Sequence, residues 1–220
     1  MSSKYERELR QVLAGLTKGV DAIIKSCNEL EKAKMKLIEK RPFLVVRAAG
    51  SGIEGSGDLL ALRGDLCFPI EVKSSKEAKL YLSGRTVEQY NSLVYEGNRS
   101  CLMPLYAYRL KGVRGDSWRI FRVETDTLHG KLRKLEPSIP CLPLTRNGKP
   151  YLNWEDGMPL NEFIALVCSQ VNDNETKMKN LQTRSNITTS YMKLEDHTKN
   201  TEIKTKHKRN ILAELKRRKL

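Results

Sequence analysis

Two apolar, strand-like runs that are separated by only two residues constrain the fold of this chain most. The first run covers residues 58–63 and the second covers residues 66–73, with Gly64 and Asp65 between them. A two-residue connection that contains glycine and aspartate is typical of a tight turn between antiparallel strands. We therefore expect a β-hairpin within a sheet.

This hairpin brings acidic residues together. Asp58 opens the first strand and Glu71 lies near the end of the second, so a two-residue turn places both carboxylates at the same end of the sheet. Because side chains alternate between the two faces of a strand, Glu71 and Lys73 share one face while Val72 points into the core.

The other patterns predict an α/β core. Residues 4–40 contain no proline and carry apolar residues at helical spacing, which indicates one long helix, or two helices with a break between Gly15 and Gly19. Further elements are expected as follows: a strand over 43–47, a helix over 86–95, and strands over 103–110 and 118–123. This order of helices and strands indicates an α/β core that ends near residue 125.

The chain is expected to have three parts. Residues 1–125 form the core, with a helical insertion at about 16–41, and residues 126–169 form a small accessory extension. Within the extension, a hairpin around Asn147 and Gly148 and a short helix over 160–171 are expected. Residues 170–220 hold 13 Lys and Arg against 6 Asp and Glu, so they are expected to form a basic, disordered tail. This tail is either a solvated extension or a nonspecific DNA tether.

The amino-acid composition limits the classes of function that are expected for this chain. The net charge of +14 favours an anionic partner, either nucleic acid or an anionic membrane. No apolar run is long enough to span a bilayer and no apolar signal core follows Met1, so integral membrane and secreted proteins are not expected. The cysteines are odd in number and lack a Cys-x-x-Cys pair, which favours reduced thiols in a cytoplasmic protein over a zinc site. They are Cys27, Cys67, Cys101, Cys141 and Cys168.

The residues at the end of the hairpin suit metal-dependent phosphate chemistry. Two carboxylates and a lysine favour Mg²⁺, with Mn²⁺ as a substitute, because these hard cations take oxygen ligands and keep several waters. Such a cation lowers the pKa of a bound water and neutralises charge that builds on a phosphate. Lys73 can hold that water or a phosphate oxygen. A Glu-x-Lys sequence alone is also what a solvated strand face contains.

Several stretches of the sequence resemble the archaeal-type Holliday junction resolvase family, which has the PD-(D/E)XK nuclease fold. They are residues 45–52, 58–62 and 70–74, together with 5–9, Glu88-Gln89 and 105–109. The resemblance covers most of residues 4–123. It implies a restriction-endonuclease-like α/β core with a mixed central sheet of about five strands flanked by helices, a long N-terminal helical segment and a basic C-terminal tail.

The resemblance also implies roles for individual residues at the metal site. Asp58 and Glu71 correspond to metal ligands, and Lys73 corresponds to the residue that assists the attacking water. Glu6 corresponds to an additional acidic group at the metal site. Glu8 is an alternative to Glu6, because a shift of register on the helix is not visible in the sequence.

Other matched positions are implied to contact DNA. Ser51 would lie on a flexible loop that reaches the cleavage site, and Arg47 would contact the phosphate backbone. Gln89 matches a position near the metal site or the DNA. Gly57 stands where the name of the fold expects proline, which removes stiffness but no ligand.

Together these observations predict a Mg²⁺-dependent endonuclease that resolves four-way DNA junctions by paired symmetric nicks. The expected partner is branched DNA, the expected assembly is a homodimer whose symmetry meets that of the junction, and no membrane or small-molecule cofactor is expected. Two alternatives stay open. One is a nuclease of the same fold that acts on duplex, flap, restriction or repair substrates, and the other is a DNA-binding module without catalysis.

Overall fold

The computed structural model describes residues 3–48 and 57–169, which belong to one compact unit. Ser51 and the basic tail 170–220 lie outside the described residues. Within them, six α-helices occur: Ser3–Leu13 (α1), Thr17–Ile24 (α2), Glu29–Lys40 (α3), Arg85–Ser100 (α4), Gly130–Leu135 (α5) and Leu160–Ser169 (α6). The strands are Leu44–Arg47 (β1), Leu59–Arg63 (β2), Leu66–Ser75 (β3), Lys79–Tyr81 (β4), Leu105–Leu110 (β5), Trp118–Arg122 (β6), Tyr151–Asn153 (β7) and Met158–Pro159 (β8).

A mixed sheet of six strands forms the centre of the fold, in the order β1-β2-β3-β5-β6-β8. The pairing of β3 with β5 is parallel, and the other neighbours in this sheet are antiparallel. Strands β4 and β7 form a separate two-stranded antiparallel sheet. The predicted α/β class and mixed sheet are therefore confirmed, and the sheet has one strand more than the predicted five because β8 adds a short edge.

The β2–β3 hairpin forms as predicted. Arg63 pairs with Leu66 across the turn, and Gly64 adopts a positive φ of 58° that favours glycine. Strand β3 continues to Ser75, two residues beyond the predicted end, because it also pairs with β5 along its second half. The hairpin therefore belongs to the middle of the sheet and not to its edge.

The N-terminal region contains three helices, so the prediction of one or two was wrong. The first break lies at Gly15, as expected, where φ is +66°. The second break is stabilised by a capping box at the start of α3. There the Asn28 side chain accepts a hydrogen bond from the Glu31 backbone at 2.9 Å, and the Glu31 side chain accepts one from the Asn28 backbone at 3.0 Å.

Hydrophobic clusters cover both faces of the sheet. The first and larger cluster joins one face to α1, α2, α3, α5 and α6, and Phe68 of β3 lies in it, fully buried. The second cluster covers the other face of β5 and β6, where Tyr106, Tyr108 and Phe121 pack with Leu93 of α4. Strand β3 thus has one face in the larger core and one face toward α4.

Residues 126–169 contribute to both clusters. Helix α6 packs against α3 and places Phe163 and Val167 in the first cluster, while Leu142 and Leu152 lie in the second. Arg63 of β2 donates a hydrogen bond to the Val167 carbonyl at 2.7 Å. The predicted hairpin around Asn147 and Gly148 and the predicted short helix are both present.

Two further predictions can be compared with the fold. None of the helices in the described ranges is both long and apolar enough to cross a membrane. All five cysteines are free thiols, as the sequence predicts.

Candidate active site

Backbone pairing at the open end of the β2–β3 hairpin fixes Asp58. The Asp58 amide donates a hydrogen bond to the Ile70 carbonyl at 2.9 Å, and its carboxylate oxygen Oδ2 accepts one from the Val72 amide at 2.8 Å. Both the main chain and the side chain of Asp58 are therefore held by β3. The carboxylate of Asp58 therefore lies next to Glu71, which stands between Ile70 and Val72 in β3.

Gly57 explains why proline is absent before this aspartate. Its φ is +69°, a conformation that proline cannot adopt. A Cβ atom at Gly57 would lie 2.7 Å from the Ile70 carbonyl oxygen, so the chain passes too close to β3 for any side chain. In this protein the turn into Asp58 requires glycine.

Strand alternation and α4 position Glu71 and Lys73. Val72 is buried in the first cluster, so its neighbours Glu71 and Lys73 point to the other face of the sheet. The Lys73 ammonium lies 2.7 Å from Glu71 Oε1 and 2.9 Å from Gln89 Oε1. Gln89 is in the second turn of α4, and this helix therefore supplies a polar group directly to the site.

The electrostatics of the site favour a bound cation. Burial, and after it the negative charge of Glu71, raises the pKa of Asp58 to about 6. The hydrogen bond from the Val72 amide lowers the pKa of Asp58, the negative charge of Glu6 raises it, and the positive charge of Lys73 lowers it. Glu71 itself is only 5% exposed. A buried carboxylate and a half-buried one that repel each other are stabilised by any cation that binds between them.

Helix α1 carries Glu6 and Glu8, which face different partners. Glu6 is 4% exposed, lies within electrostatic reach of Asp58, accepts a hydrogen bond from Arg47 Nε at 3.1 Å and forms an ion pair with Arg47 Nη2 at 3.0 Å. Glu8 instead accepts hydrogen bonds from Arg109 at 2.8 Å and from the Trp118 indole at 3.0 Å. Of the two acids that the sequence left open, the geometry brings Glu6 toward Asp58.

The donor chemistry of these residues fits a hard divalent cation. Glu6, Asp58 and Glu71 offer only carboxylate oxygens, which suit Mg²⁺ or Mn²⁺ better than Zn²⁺, a cation that usually takes nitrogen and sulfur ligands. Each is held by a protein group, and the part of the chain that the structure describes contains no three His, Cys, Asp or Glu side chains that form a preassembled metal cage.

The geometry therefore brings together six of the seven residues predicted for the site. Asp58, Glu71, Lys73 and Gln89 meet at one end of β3, with Glu6 near Asp58 and Arg47 held by Glu6. Arg47 is half exposed at the end of β1, where its guanidinium can reach a ligand. Ser51 lies outside the described residues.

One residue at this site was not predicted from the sequence. Tyr106 of β5 pairs with Glu71 in the parallel register and shares its face of the sheet. Strand alternation does place Tyr106 and Tyr108 on one face, but the sequence does not show that β5 lies beside β3. The pairing of strands 35 residues apart is what makes Tyr106 a neighbour of Glu71.

A comparison with protein-family models confirms the predicted resemblance. The family model described as archaeal Holliday junction resolvase (Hjc) matches residues 25–134. A solved structure of Hjc from Archaeoglobus fulgidus, described as a Holliday junction resolvase from an archaeal hyperthermophile, is also similar. It is 22% identical, with a TM-score of 0.38, and the match covers 61% of this chain and 92% of that chain. The matched family segment contains Arg47, Asp58, Glu71, Lys73 and Gln89, and it begins after Glu6.

Proposed function

We propose that this chain, which belongs to the archaeal Holliday junction resolvase family, resolves four-way DNA junctions by metal-dependent hydrolysis of phosphodiester bonds. The observation that supports this most is the half-buried carboxylate of Asp58 beside the buried carboxylate of Glu71, with Lys73 between Glu71 and Gln89. Buried like charges reduce stability, and they concentrate where a protein needs them for chemistry.

In this proposal Asp58 and Glu71 hold Mg²⁺, with Mn²⁺ as a substitute, and Glu6 is the additional acid. A divalent cation in this position supplies a water of lowered pKa and neutralises charge on the phosphate. Asp58 is oriented for this task by its hydrogen bond to the Val72 amide. Glu71 is oriented by Lys73.

Lys73 contacts the attacking water or a phosphate oxygen, and Arg47 contacts the DNA backbone. Gln89 holds the Lys73 ammonium at this end of β3, where it donates hydrogen bonds to the attacking water or to a phosphate oxygen. Arg47, fixed by Glu6, binds the phosphate backbone next to the cut. Ser51, which precedes Asp58 by seven residues, belongs to the same proposal as a residue of the loop that reaches the cleavage site.

Recognition of the junction is by shape. We expect a homodimer, because a two-fold assembly presents two active sites to opposite strands of a two-fold symmetric junction and produces paired symmetric nicks. The positive net charge of +14 favours the phosphate backbone without selecting a base sequence. The proposed partner is therefore branched DNA, and the proposed place of action is on DNA in the cytoplasm.

Cleavage of a labelled immobile four-way junction, in competition with excess linear duplex and with either Mg²⁺ or EDTA, tests this function. We expect symmetric nicks that survive competition and require Mg²⁺. Glu71→Gln should reduce cleavage on the order of a thousandfold, with binding unchanged or tighter because a negative charge leaves the phosphate site. Glu77→Gln, which removes an exposed carboxylate from the turn after β3, is the matched control and should cleave like the unmodified protein.

The same assay separates the alternatives. Mg²⁺-dependent cutting that is lost to duplex competitor would retain the nuclease and reject the junction as its substrate. Binding to DNA without Mg²⁺-dependent nicking would support a non-catalytic module. Undiminished cleavage by Glu71→Gln would show that the assigned site is wrong, and light scattering of the free protein would test the homodimer.

A further inference from the structure

The hydroxyl of Tyr106 is buried without a hydrogen-bond partner. Tyr106 is fully buried, and no residue in the described part of the chain accepts or donates a hydrogen bond at its hydroxyl oxygen. Buried hydroxyl groups in native proteins almost always have a partner, because an unsatisfied one loses its contact with water and gains nothing. A hydroxyl of this kind therefore points to a ligand.

The position of Tyr106 indicates which ligand. Parallel pairing of β5 with β3 puts Tyr106 directly beside Glu71 and on the same face of the sheet. Burial raises the pKa of the Tyr106 hydroxyl, and the negative charges of Glu71 and Asp58 act in the same direction. The group therefore stays protonated, as a hydrogen-bond donor within electrostatic reach of both carboxylates.

Tyr108 provides an internal comparison. It lies two residues further along β5, on the same face and equally buried, and it pairs with Lys73 as Tyr106 pairs with Glu71. Its hydroxyl, however, donates a hydrogen bond to the Glu77 backbone carbonyl. Of two matched tyrosines, the one beside Lys73 is satisfied by the protein and the one beside Glu71 is not.

We propose that Tyr106 is a positioning residue of the carboxylate site, whose hydroxyl donates a hydrogen bond to a water molecule that Asp58 and Glu71 hold together with a divalent cation. This inference rests on the proposed function and adds a residue to it. The phenol is neutral, so it orients the water without changing the charge of the site. Partners of this kind, one step removed from the ligands, contribute substantially to metal affinity.

Tyr106→Phe and Tyr108→Phe test the proposal as a pair. The dissociation constant for Mn²⁺ is measured by electron paramagnetic resonance on the full chain without DNA, and the midpoint of thermal unfolding is measured in EDTA. Tyr106→Phe should weaken Mn²⁺ binding about tenfold, because it removes one such partner, and should leave the midpoint unchanged or higher. Tyr108→Phe should lower the midpoint, because the Glu77 carbonyl loses its donor, and should leave Mn²⁺ binding unchanged.

Glu71→Gln, measured alongside, separates failure of this inference from failure of the proposed function. If Glu71→Gln weakens Mn²⁺ binding and Tyr106→Phe does not, the role of Tyr106 is wrong and the metal site stands. If neither variant changes Mn²⁺ binding, the cation is elsewhere and both proposals fail. If Tyr106→Phe lowers the unfolding midpoint as much as Tyr108→Phe does, its hydroxyl is bonded within the protein, which also overturns the inference.

Discussion

The two faces of β3 bury different kinds of side chain. Phe68 and Val72 point into the larger hydrophobic cluster, where each is almost inaccessible to solvent. Glu71 and Lys73 point the opposite way and form an ion pair beside Tyr106, in which Glu71 is buried and Lys73 is partly exposed. Residues that are adjacent along the chain thus lie in an apolar environment and in a charged one, separated only by the thickness of the sheet.

The side chains of β3 that stabilise the fold therefore lie on one face, and those proposed for chemistry lie on the other. Burial of the apolar face contributes to the free energy of unfolding in proportion to the area removed from water. Burial of carboxylates on the other face opposes folding, because charges lose hydration that one ion pair and one amide hydrogen bond replace only in part. Truncation of an apolar side chain on the first face should therefore lower stability, and neutralisation of a carboxylate on the other face should raise it.

The largest effect is expected on the apolar face, from Phe68→Ala. Phe68 is fully buried and makes edge-on contacts with Phe43 at 6.0 Å and with Phe163 at 5.7 Å between ring centroids. Its truncation should lower the free energy of unfolding by about 3–5 kcal/mol, because the cavity lies between β3 and α6, where little can collapse into it. Urea denaturation measures this loss.

Cys67→Ala is the matched control for that prediction. Cys67 is the preceding residue of β3, half-buried on the other face, and its truncation should cost less than about 1 kcal/mol. Junction cleavage by the folded fraction of Phe68→Ala should stay within about threefold of the unmodified protein, because no site residue is removed. Equal losses of stability in the two variants would contradict the distinction between the faces.

Much of the charged face could be predicted because its signals are local in sequence. A two-residue connection set the hairpin, and the period of two along β3 separated Glu71 and Lys73 from Val72. The family resemblance was also predicted and is confirmed. The capping box of Asn28 and Glu31 is an equally local signal that would have divided the predicted helix, had it been used.

The apolar face was harder to predict because its contacts are distant in sequence. Phe163 and Val167 reach the core from a segment whose position no short pattern indicates. The pairing of β4 with β7 joins strands about 70 residues apart, and the parallel pairing of β5 with β3 is equally invisible. The periodicity of apolar residues indicates which side of a helix or strand is buried, but it does not indicate which other element packs against that side.

A smaller effect should come from the backbone that carries Asp58 to the charged face. Gly57→Ala adds a Cβ atom 2.7 Å from the Ile70 carbonyl oxygen at a positive φ, and should cost about 2–3 kcal/mol. Gly64→Ala, at the other end of β2, also has a positive φ but meets no atom within 4 Å, and should cost about 1 kcal/mol. Urea denaturation compares the two.

Cleavage sharpens this comparison between the ends of β2. Gly57→Ala should also reduce junction cleavage, by about tenfold or more, because it shifts the carboxylate of Asp58 relative to Glu71. Gly64→Ala should leave cleavage unchanged, because the turn lies at the opposite end of the strand from Asp58. Equal effects of the two alanines on stability and on cleavage would show that the close approach of Gly57 to β3 does not control the site.

The smallest effect, and the one of opposite sign, is expected from Asp58→Asn. Burial and Glu71 raise the pKa of Asp58 from 3.8 to about 6, so the folded protein holds a proton on this group between these pH values that the unfolded chain releases. The ionised carboxylate therefore costs stability above pH 6, and this cost disappears as the pH falls toward 4.

An asparagine keeps the acceptor for the Val72 amide and has no charge. Asp58→Asn should therefore be more stable than the unmodified protein by about 1–2 kcal/mol near neutral pH. This figure allows for solvent screening of a partly exposed group. The difference should shrink steadily from pH 6.5 to pH 4.5. Urea denaturation in EDTA at several pH values measures it, with Asp65→Asn at the exposed turn as a control that should show no such gain. A difference that does not depend on pH would mean that the carboxylate of Asp58 does not oppose folding, and the contrast between the two faces of β3 would then rest on Glu71 alone.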